Sequence, residues 1–219
     1  MSSTERTRVL ILISGSGTNL QAIIDSQAKG ELNIDIVGVI SDRPDAYGLQ
    51  RAAKAHIHTE IIDYKSHKSR KSFDAALTAL LTKLHPDLIV LAGYMRILAE
   101  ATVNAYEGKL LNVHPSLLPA YPGLNTYARA LAAGEIWHGS TVHFVVPELD
   151  AGPPILQYRV KITANETEAA LQARVQQGEY IIYPQAINWF TEGRITYGDG
   201  QASVDGKILT KPFIVNEIE

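Results

Sequence analysis

Apolar residues along the chain fall into short continuous runs, separated by segments with a helical period. The runs at 8–14 (RVLILIS), 34–41 (IDIVGVIS) and 88–92 (LIVLA) are apolar on both faces, as is typical of strands buried in a parallel sheet. Between them, the apolar residues at 73, 76, 77, 80, 81 and 84 repeat with the period of a helix face. A helix over 49–55 and a short strand over 60–63 continue the alternation. The pattern predicts an α/β fold with a mostly parallel sheet covered by helices on both faces.

The second half of the chain has a more mixed pattern. Residues 140–146 (STVHFVV) and 155–162 (ILQYRVKI) alternate like strands on either side of PELDAGPP, which favours antiparallel additions to the fold. Gly and Asp turns after Gly193 predict a small hairpin at the end of the chain. We therefore predict a single domain over residues 1–219, with a Rossmann-like first half to about residue 105 and a second half from about residue 106.

Two helices are expected between the strand pair and the hairpin. Thr163-Ala-Asn-Glu166 has the spelling of a capping box and predicts the start of a helix that runs to about Gln177. A second helix is predicted over Tyr180–Phe190, with Pro184 near its start because proline is tolerated in a first turn.

Composition and charge narrow the classes of function. The chain has 46% hydrophobic and 20% charged residues and a formal net charge of -3, without the basic stripe that nucleic-acid binding requires. It has no cysteine, which excludes disulfides, thiolate catalysis and Cys-ligated metals. The N-terminal apolar run, residues 9–13, is too short to span a membrane. We expect a cytoplasmic protein that does not associate with membranes.

A glycine-rich loop, SGSGTN, follows the first strand at residues 14–19. Gly15 and Gly17 allow a sharp turn that brings backbone N–H groups near a ligand, and the helix N-terminus that follows favours an anion such as phosphate. Ser16, Thr18 and Asn19 are candidate side-chain donors and helix N-caps. The alternative is a plain tight turn, in which the glycines serve geometry alone.

Nucleotide binding is a weaker interpretation of the same loop. Leu20 stands where the third glycine of GxGxxG would be, and the chain has no GxxxxGK[ST] loop. Asp42 follows the second strand, where a dinucleotide-binding fold places its ribose-binding acid. An Asp before Arg-Pro is equally a turn former, so this signal has two explanations.

The stretch LLNVHPSLLPAYPG, residues 110–123, places an amide and an imidazole at the end of an apolar strand. In an extended chain Asn112 and His114 point to the same face, and Pro115 ends the strand directly after them. Open α/β sheets bind their ligands at such carboxyl ends. An amide N–H can donate to a developing oxyanion, and an imidazole can give or take a proton. A structural histidine is the alternative.

An acidic residue, Asp150, lies within PELDAGPP. A carboxylate on this stiff loop can orient an imidazole, although an ordinary acidic turn gives the same spelling, and spacing does not place Asp150 beside His114. Ser116 lacks a GxSxG elbow, which removes the scaffold for serine hydrolase chemistry. The remaining histidines with a predicted role are His143, a satisfied polar neighbour in its strand, and three surface residues, His56, His58 and His67.

Four segments together resemble a known family. ISGSGTNLQAII, LAGYMRIL, LLNVHPSLLPAYPG and GSTVHFVVPELDAGPPILQ are similar to the phosphoribosylglycinamide formyltransferases, folate-dependent enzymes of purine biosynthesis. The resemblance runs in order from Leu10 to about Gly193. It implies the formyltransferase fold and transfer of a formyl group from the cosubstrate 10-formyltetrahydrofolate to the amine of glycinamide ribonucleotide (GAR), with no metal. Hydrolysis of the same folate, by a deformylase, is the alternative within the class.

The resemblance also implies roles for individual residues. Asn112, His114 and Asp150 match the family's catalytic trio. Gly17, Thr18 and Asn19 match the cradle for the GAR phosphate, and Glu179 matches an acid that binds the ribose hydroxyls. The implied folate site consists of Arg70, Met95, Arg96, Ile97, Leu98, Val146, Pro147, Glu148, Leu149 and Asp150, with Arg96 expected to pair with the glutamate carboxylate of the folate.

Overall fold

The computed structural model describes residues 6–217. Within this range the chain forms two compact units, one up to Leu111 and the other from Asn112. Strand β5, Leu110–His114, crosses that boundary and has the bounds that its apolar run predicts.

The first unit is a parallel sheet connected by helices. Its strands are β1 (Thr7–Ile13), β2 (Ile34–Ser41), β3 (Thr59–Ile61) and β4 (Leu88–Leu91). They lie side by side in the order β4-β1-β2-β3, and every pair is parallel. Residues 9–13 of β1 have no exposed surface, which explains why this central strand carries no polar alternation. The predicted parallel α/β arrangement is confirmed.

The helices of the first unit differ from the predictions mainly at their ends. They are α1 (Thr18–Ala28), α2 (Tyr47–Lys54), α3 (Arg70–Leu84) and α4 (Glu100–Ala105), and a 3-10 turn lies at Tyr64–Ser66. A capping box of Ser69 and Ser72 starts α3 three residues before its apolar periodicity begins. Helix α4 was not predicted, because six residues are too few for a helical period to be visible.

The second unit combines an antiparallel pair with one long helix. After helix α5 (Thr126–Ala132), β6 (Trp137–Phe144) and β7 (Pro154–Lys161) pair antiparallel, as predicted. The hairpin predicted after Gly193 is present as β8 (Ile195–Gly198) and β9 (Gln201–Val204), and β10 (Lys207–Ile208) adds a third strand. A last strand, β11 (Phe213–Asn216), was not predicted and pairs parallel with β7.

The two helices predicted between β7 and the hairpin are one continuous helix, α6 (Glu168–Thr191), so both predicted boundaries were wrong. Its N-cap is Thr167, which accepts from the Ala170 amide. Glu166 is engaged by the Thr163 amide at 2.9 Å and by Arg174 at 2.7 Å, so the apparent capping box lies in the turn before α6. Pro184 lies inside the helix, where it removes a single hydrogen-bond donor.

Helix α6 packs tightly against β7 at Gly178. A methyl group added to Gly178 would overlap the ring of Tyr158 on β7, and both residues are buried. Glycine costs helix stability by itself, so close packing explains its presence in the middle of a helix. Any larger side chain at this position would push α6 and Tyr158 apart, next to Glu179.

We expect Gly178→Ala to lower the free energy of unfolding by about 1–3 kcal/mol, since overpacking outweighs the better helix propensity of alanine. Urea denaturation measures the change. The matched control is Gln177→Ala on the exposed face of the same helix, which we expect to change stability by less than about 0.5 kcal/mol. A stabilised Gly178→Ala variant would contradict this packing argument.

Candidate active site

The glycine-rich loop of the first unit leads directly from β1 into α1. The N-cap of α1 is Gly17, with φ 69° in the left-handed region that glycine adopts without strain. The sequence had suggested Ser16, Thr18 or Asn19 as N-caps, and that expectation was wrong. Glycine has no side chain with which to cap the helix, so the N-terminus of α1 presents its backbone dipole beside a glycine. Thr18 and Asn19 form the first turn.

The segment after β4 is held in place from several sides within the first unit. Ser14 accepts a hydrogen bond from the Met95 amide at 2.8 Å, and its own amide donates to the Gly93 carbonyl at 3.1 Å. Arg70 donates to the Ile97 carbonyl at 3.0 Å. Met95 is 66% exposed, so this fixed backbone presents an apolar side chain to solvent.

Arg96 is engaged by the protein itself. Its Nε donates to the Asp42 carboxylate at 2.8 Å, and its guanidinium lies 3.8 Å from the centroid of the Tyr64 ring. The Asp42 side chain has no exposed surface, so it is a buried partner of Arg96 and is not placed to bind a ribose in solution. Arg70, whose side chain is 56% exposed, is the more accessible cation beside the segment 95–98.

In the second unit, the end of β5 brings His114 and Asp150 together. Nδ1 of His114 lies 3.4 Å from Oδ2 of Asp150, and both side chains are less than a tenth exposed. The same carboxylate oxygen accepts from the Gly123 amide at 2.8 Å. Asp150 has φ 53°, a left-handed conformation that aspartate tolerates better than most residues.

The second ring nitrogen of His114 is also engaged. Nε2 lies 3.0 Å from the Tyr121 carbonyl, which can only accept, so Nε2 carries a proton. With Asp150 facing Nδ1, a doubly protonated ring donates to both acceptors, whereas a neutral ring donates to one. This geometry suits a histidine that holds and returns a proton.

Asn112 is oriented by His143 on β6. Nδ2 of Asn112 lies 3.1 Å from Nε2 of His143, and Nδ1 of His143 lies 2.8 Å from the Phe144 carbonyl. Because a carbonyl only accepts, Nδ1 is the protonated nitrogen and Nε2 is left to accept from the Asn112 amide. Burial lowers the pKa of His143 to about 4, which keeps the ring neutral and able to accept. One N–H of Asn112 is thus fixed on His143, and the other is free to donate elsewhere.

The role of His143 was missed in the sequence, which indicated only a satisfied polar neighbour. Two signals could have revealed it: His143 and Asn112 are polar positions in strands that are otherwise apolar, and those strands, β5 and β6, are neighbours in the sheet. Pairing two such positions requires the register of the strands, which the sequence does not provide.

Glu179 lies on α6 and is only 6% exposed. Burial first, and the charge of Glu179 second, raise the pKa of Tyr127 on α5. The residues predicted from PELDAGPP behave differently: Pro147, Glu148 and Leu149 are exposed after β6, Val146 is half-buried, and Asp150 turns inward to His114.

The tautomer of His143 can be observed directly. We expect long-range ¹H–¹⁵N correlation spectra to show the proton on Nδ1, with the ring neutral from pH 8 down to about pH 5, because its pKa is lowered to about 4. As the pH falls through that value, Nε2 gains a proton and loses its hydrogen bond from Asn112. A proton on Nε2 at neutral pH, or titration near the ordinary histidine pKa, would contradict this assignment. Exposed His58 serves as the internal reference.

Comparison with known proteins agrees with this architecture. Residues 7–187 match the family described as formyl transferase. The chain is 47% identical over 210 residues to the phosphoribosylglycinamide formyltransferase of Haemophilus influenzae, covering 96% of this chain and 99% of the relative. It also resembles the solved structure of the Coxiella burnetii phosphoribosylglycinamide formyltransferase, with a TM-score of 0.91, 50% identity, and coverage of 95% and 100%.

A formyltetrahydrofolate deformylase is a more distant structural relative. The structure of that protein from Burkholderia mallei has a TM-score of 0.82 and 27% identity, and the match covers 91% of this chain and 70% of the deformylase. Between residues 6 and 217, no helix is long and apolar enough to cross a membrane. The same residues contain no group of three or more His, Cys, Asp or Glu side chains placed to hold a metal ion.

Proposed function

The chain belongs to the formyl transferase family, and from this premise we propose that it transfers the formyl group of 10-formyltetrahydrofolate to the amine of glycinamide ribonucleotide. The observation that carries the proposal is the meeting of His114 and Asp150 beside the oriented amide of Asn112, in a chain that matches a named phosphoribosylglycinamide formyltransferase over nearly its whole length. The products are formyl-GAR and tetrahydrofolate.

The proposed reaction is direct transfer through a tetrahedral intermediate. The GAR amine attacks the formyl carbon and forms a new C–N bond, while the carbonyl oxygen becomes an oxyanion. Collapse of the intermediate breaks the bond to N10 of the folate, and the proton lost by the attacking nitrogen is gained by the leaving one. Stabilising the oxyanion and moving that proton are therefore the two tasks of the protein.

Asn112 is suited to the first task. Because His143 accepts one amide hydrogen, the orientation of the amide is fixed and the second hydrogen is available to the oxyanion. A donor that is fixed before the reaction needs no reorganisation as charge develops, which is the basis of oxyanion stabilisation.

His114 and Asp150 are suited to the second task. An imidazolium beside a carboxylate can donate a proton to the leaving nitrogen, and the neutral imidazole that remains can accept one from the attacking nitrogen. Its Nε2 proton is held by the Tyr121 carbonyl at 3.0 Å, so donation to a formyl oxygen requires that hydrogen bond to be released or shared. Three residues with positive φ, Tyr121, Gly123 and Asn125, lie in the loop that provides this carbonyl.

The remaining proposed roles concern binding. Gly17, Thr18 and Asn19 bind the GAR phosphate at the N-terminus of α1, and the buried Glu179 accepts hydrogen bonds from the ribose hydroxyls. The proposed folate contacts are Arg70, the segment from Met95 to Leu98, and the segment from Val146 to Asp150. Arg70 is better suited than Arg96 to pair with the glutamate carboxylate, because its side chain is more exposed and its ion pair with Asp74 is longer, 3.6 Å against 2.8 Å for Arg96 and the buried Asp42.

Removing the side chain of either Asn112 or His114 tests the assignment. We expect Asn112→Ala and His114→Ala each to lower kcat by about a hundredfold or more, as for other oxyanion-hole deletions. The measurement is the absorbance change as 10-formyltetrahydrofolate is converted, with and without GAR. His58→Ala, an exposed histidine in the first unit, is the control and should retain full activity. Near-normal turnover by His114→Ala would show that the assignment is wrong.

A further inference from the structure

Helix α2 contacts the glycine-rich loop, residues 14–19, through two residues, Gly48 and Arg51. We call these two residues the α2 clasp. The Gly48 amide donates to the Gly15 carbonyl at 3.0 Å, and Nε of Arg51 donates to the Ser16 carbonyl at 2.8 Å. A second nitrogen of Arg51, Nη1, donates to Gln21 on α1 at 3.2 Å. Two consecutive carbonyls of the loop are therefore occupied by one helix.

This arrangement fixes where the loop amides point. In a trans peptide the C=O and the N–H of the same plane point in opposite directions, and both peptide bonds in question are trans. Holding the Gly15 carbonyl directs the Ser16 N–H away from α2, and holding the Ser16 carbonyl does the same for the Gly17 N–H. Two successive N–H groups on one side of a glycine turn form a concave anion-binding arrangement.

The clasp is in close backbone contact with the loop. A Cβ atom on Gly17 would lie 2.6 Å from the Cα of Gly48 and 3.4 Å from Cδ of Arg51. A Cβ on Gly48 would in turn lie 3.2 Å from the Cα of Gly17. The glycine at 17 is thus explained by this contact as well as by its positive φ, and the glycine at 48 by this contact together with Cδ1 of Ile13, 2.5 Å from an added Cβ.

Arg51 also brings a positive charge to the loop. Its guanidinium lies over the Tyr47 ring, 5.0 Å from the centroid, and is joined to both the loop and α1. A planar guanidinium can donate to two acceptors in fixed directions, whereas a lysine ammonium at the same place could not keep both contacts in this geometry.

We propose that Arg51 is a positioning residue for phosphate binding: by holding the Ser16 carbonyl it keeps the Gly17 N–H directed at the phosphate of the acceptor. The inference rests on the proposed function in assigning that phosphate to GAR. It adds a residue from α2 to the GAR site that the family resemblance implies at Gly17, Thr18, Asn19 and Glu179.

The test compares two acceptors, GAR and the same compound without its phosphate. We expect Arg51→Met to raise KM for GAR about tenfold, the effect of losing one charge-assisted hydrogen bond, while kcat stays unchanged. With the phosphate-free acceptor, the variant and the unaltered protein should have equal kcat/KM. Arg51→Lys should remain closer to Arg51→Met than to the unaltered protein. Lys54→Met, on the same helix, removes an equal charge at an exposed site and should leave kcat and KM unchanged for both acceptors.

Three results would overturn the proposal. Equal losses with both acceptors, or a fall in kcat alone, would mean that Arg51 does not act on the phosphate. Full rescue by Arg51→Lys would mean that charge suffices and positioning is not required. Thermal unfolding midpoints establish whether the variants are folded. If Arg51→Met does not fold, KM for the two acceptors is compared between Arg51→Lys and the unaltered protein.

Inorganic phosphate separates this inference from the proposed function. We expect Arg51→Met to weaken binding of inorganic phosphate, measured by calorimetric titration, by a factor similar to its effect on KM for GAR. If the unaltered protein binds phosphate but transfers no formyl group to GAR, the proposed function fails and the titration still decides the role of Arg51. Equal phosphate affinity of the variant and the unaltered protein would contradict the role of Arg51 whatever the enzyme catalyses.

Discussion

Burial of His143 fixes the hydrogen-bonding arrangement of the Asn112 amide on β5. The imidazole of His143 is buried and bonded to the Phe144 carbonyl, so its other nitrogen can only accept. That acceptor selects the orientation of the Asn112 amide. The Asn112 amide therefore keeps one orientation before any substrate binds, because the flipped amide would place its oxygen against the acceptor nitrogen of His143.

The His114 ring, in contrast to that of His143, has an acceptor at each nitrogen. Both of its ring nitrogens face acceptors, the Asp150 carboxylate and the Tyr121 carbonyl. When both ring nitrogens carry a proton, each has an acceptor within reach. In the proposed reaction Asn112 is therefore a fixed donor, whereas His114 exchanges protons. Formyl transfer requires both, because charge builds on the oxygen while a proton moves between two nitrogens.

In the first unit, the proposed phosphate site is built from backbone groups rather than side chains. The loop after β1 ends in a left-handed glycine and is held from behind by Gly48 and Arg51. Anion binding by backbone N–H groups depends on the direction of peptide planes, and those planes are set by what occupies the carbonyls. The acidic net charge of the chain is compatible with such a local device, since no broad positive field is involved.

Local patterns predicted the elements whose signal is contained in a few neighbouring residues. The apolar run of β5, its end at Pro115, and the antiparallel pair β6–β7 were all predicted, and Asn112 and His114 stood out because they are polar in a buried strand. The sequence could not provide the partners that only folding brings close: His143 for Asn112, Asp42 for Arg96, and Arg51 for the glycine loop. It also misplaced the start of α6, because Glu166 pairs with Arg174 eight residues later. The family resemblance grouped Asn112, His114 and Asp150 together. The structure places two of them, His114 and Asp150, 3.4 Å apart.

The central claim is that the formyl carbon passes directly from the folate to the amine of GAR. The most direct measurement uses 10-formyltetrahydrofolate labelled with ¹³C in the formyl group, followed by NMR in the presence and absence of GAR. Direct transfer predicts that the label appears in the amide of formyl-GAR when GAR is present, with no labelled formate above the rate without protein. Labelled formate appearing at the same rate with and without GAR would identify a hydrolase and contradict the account.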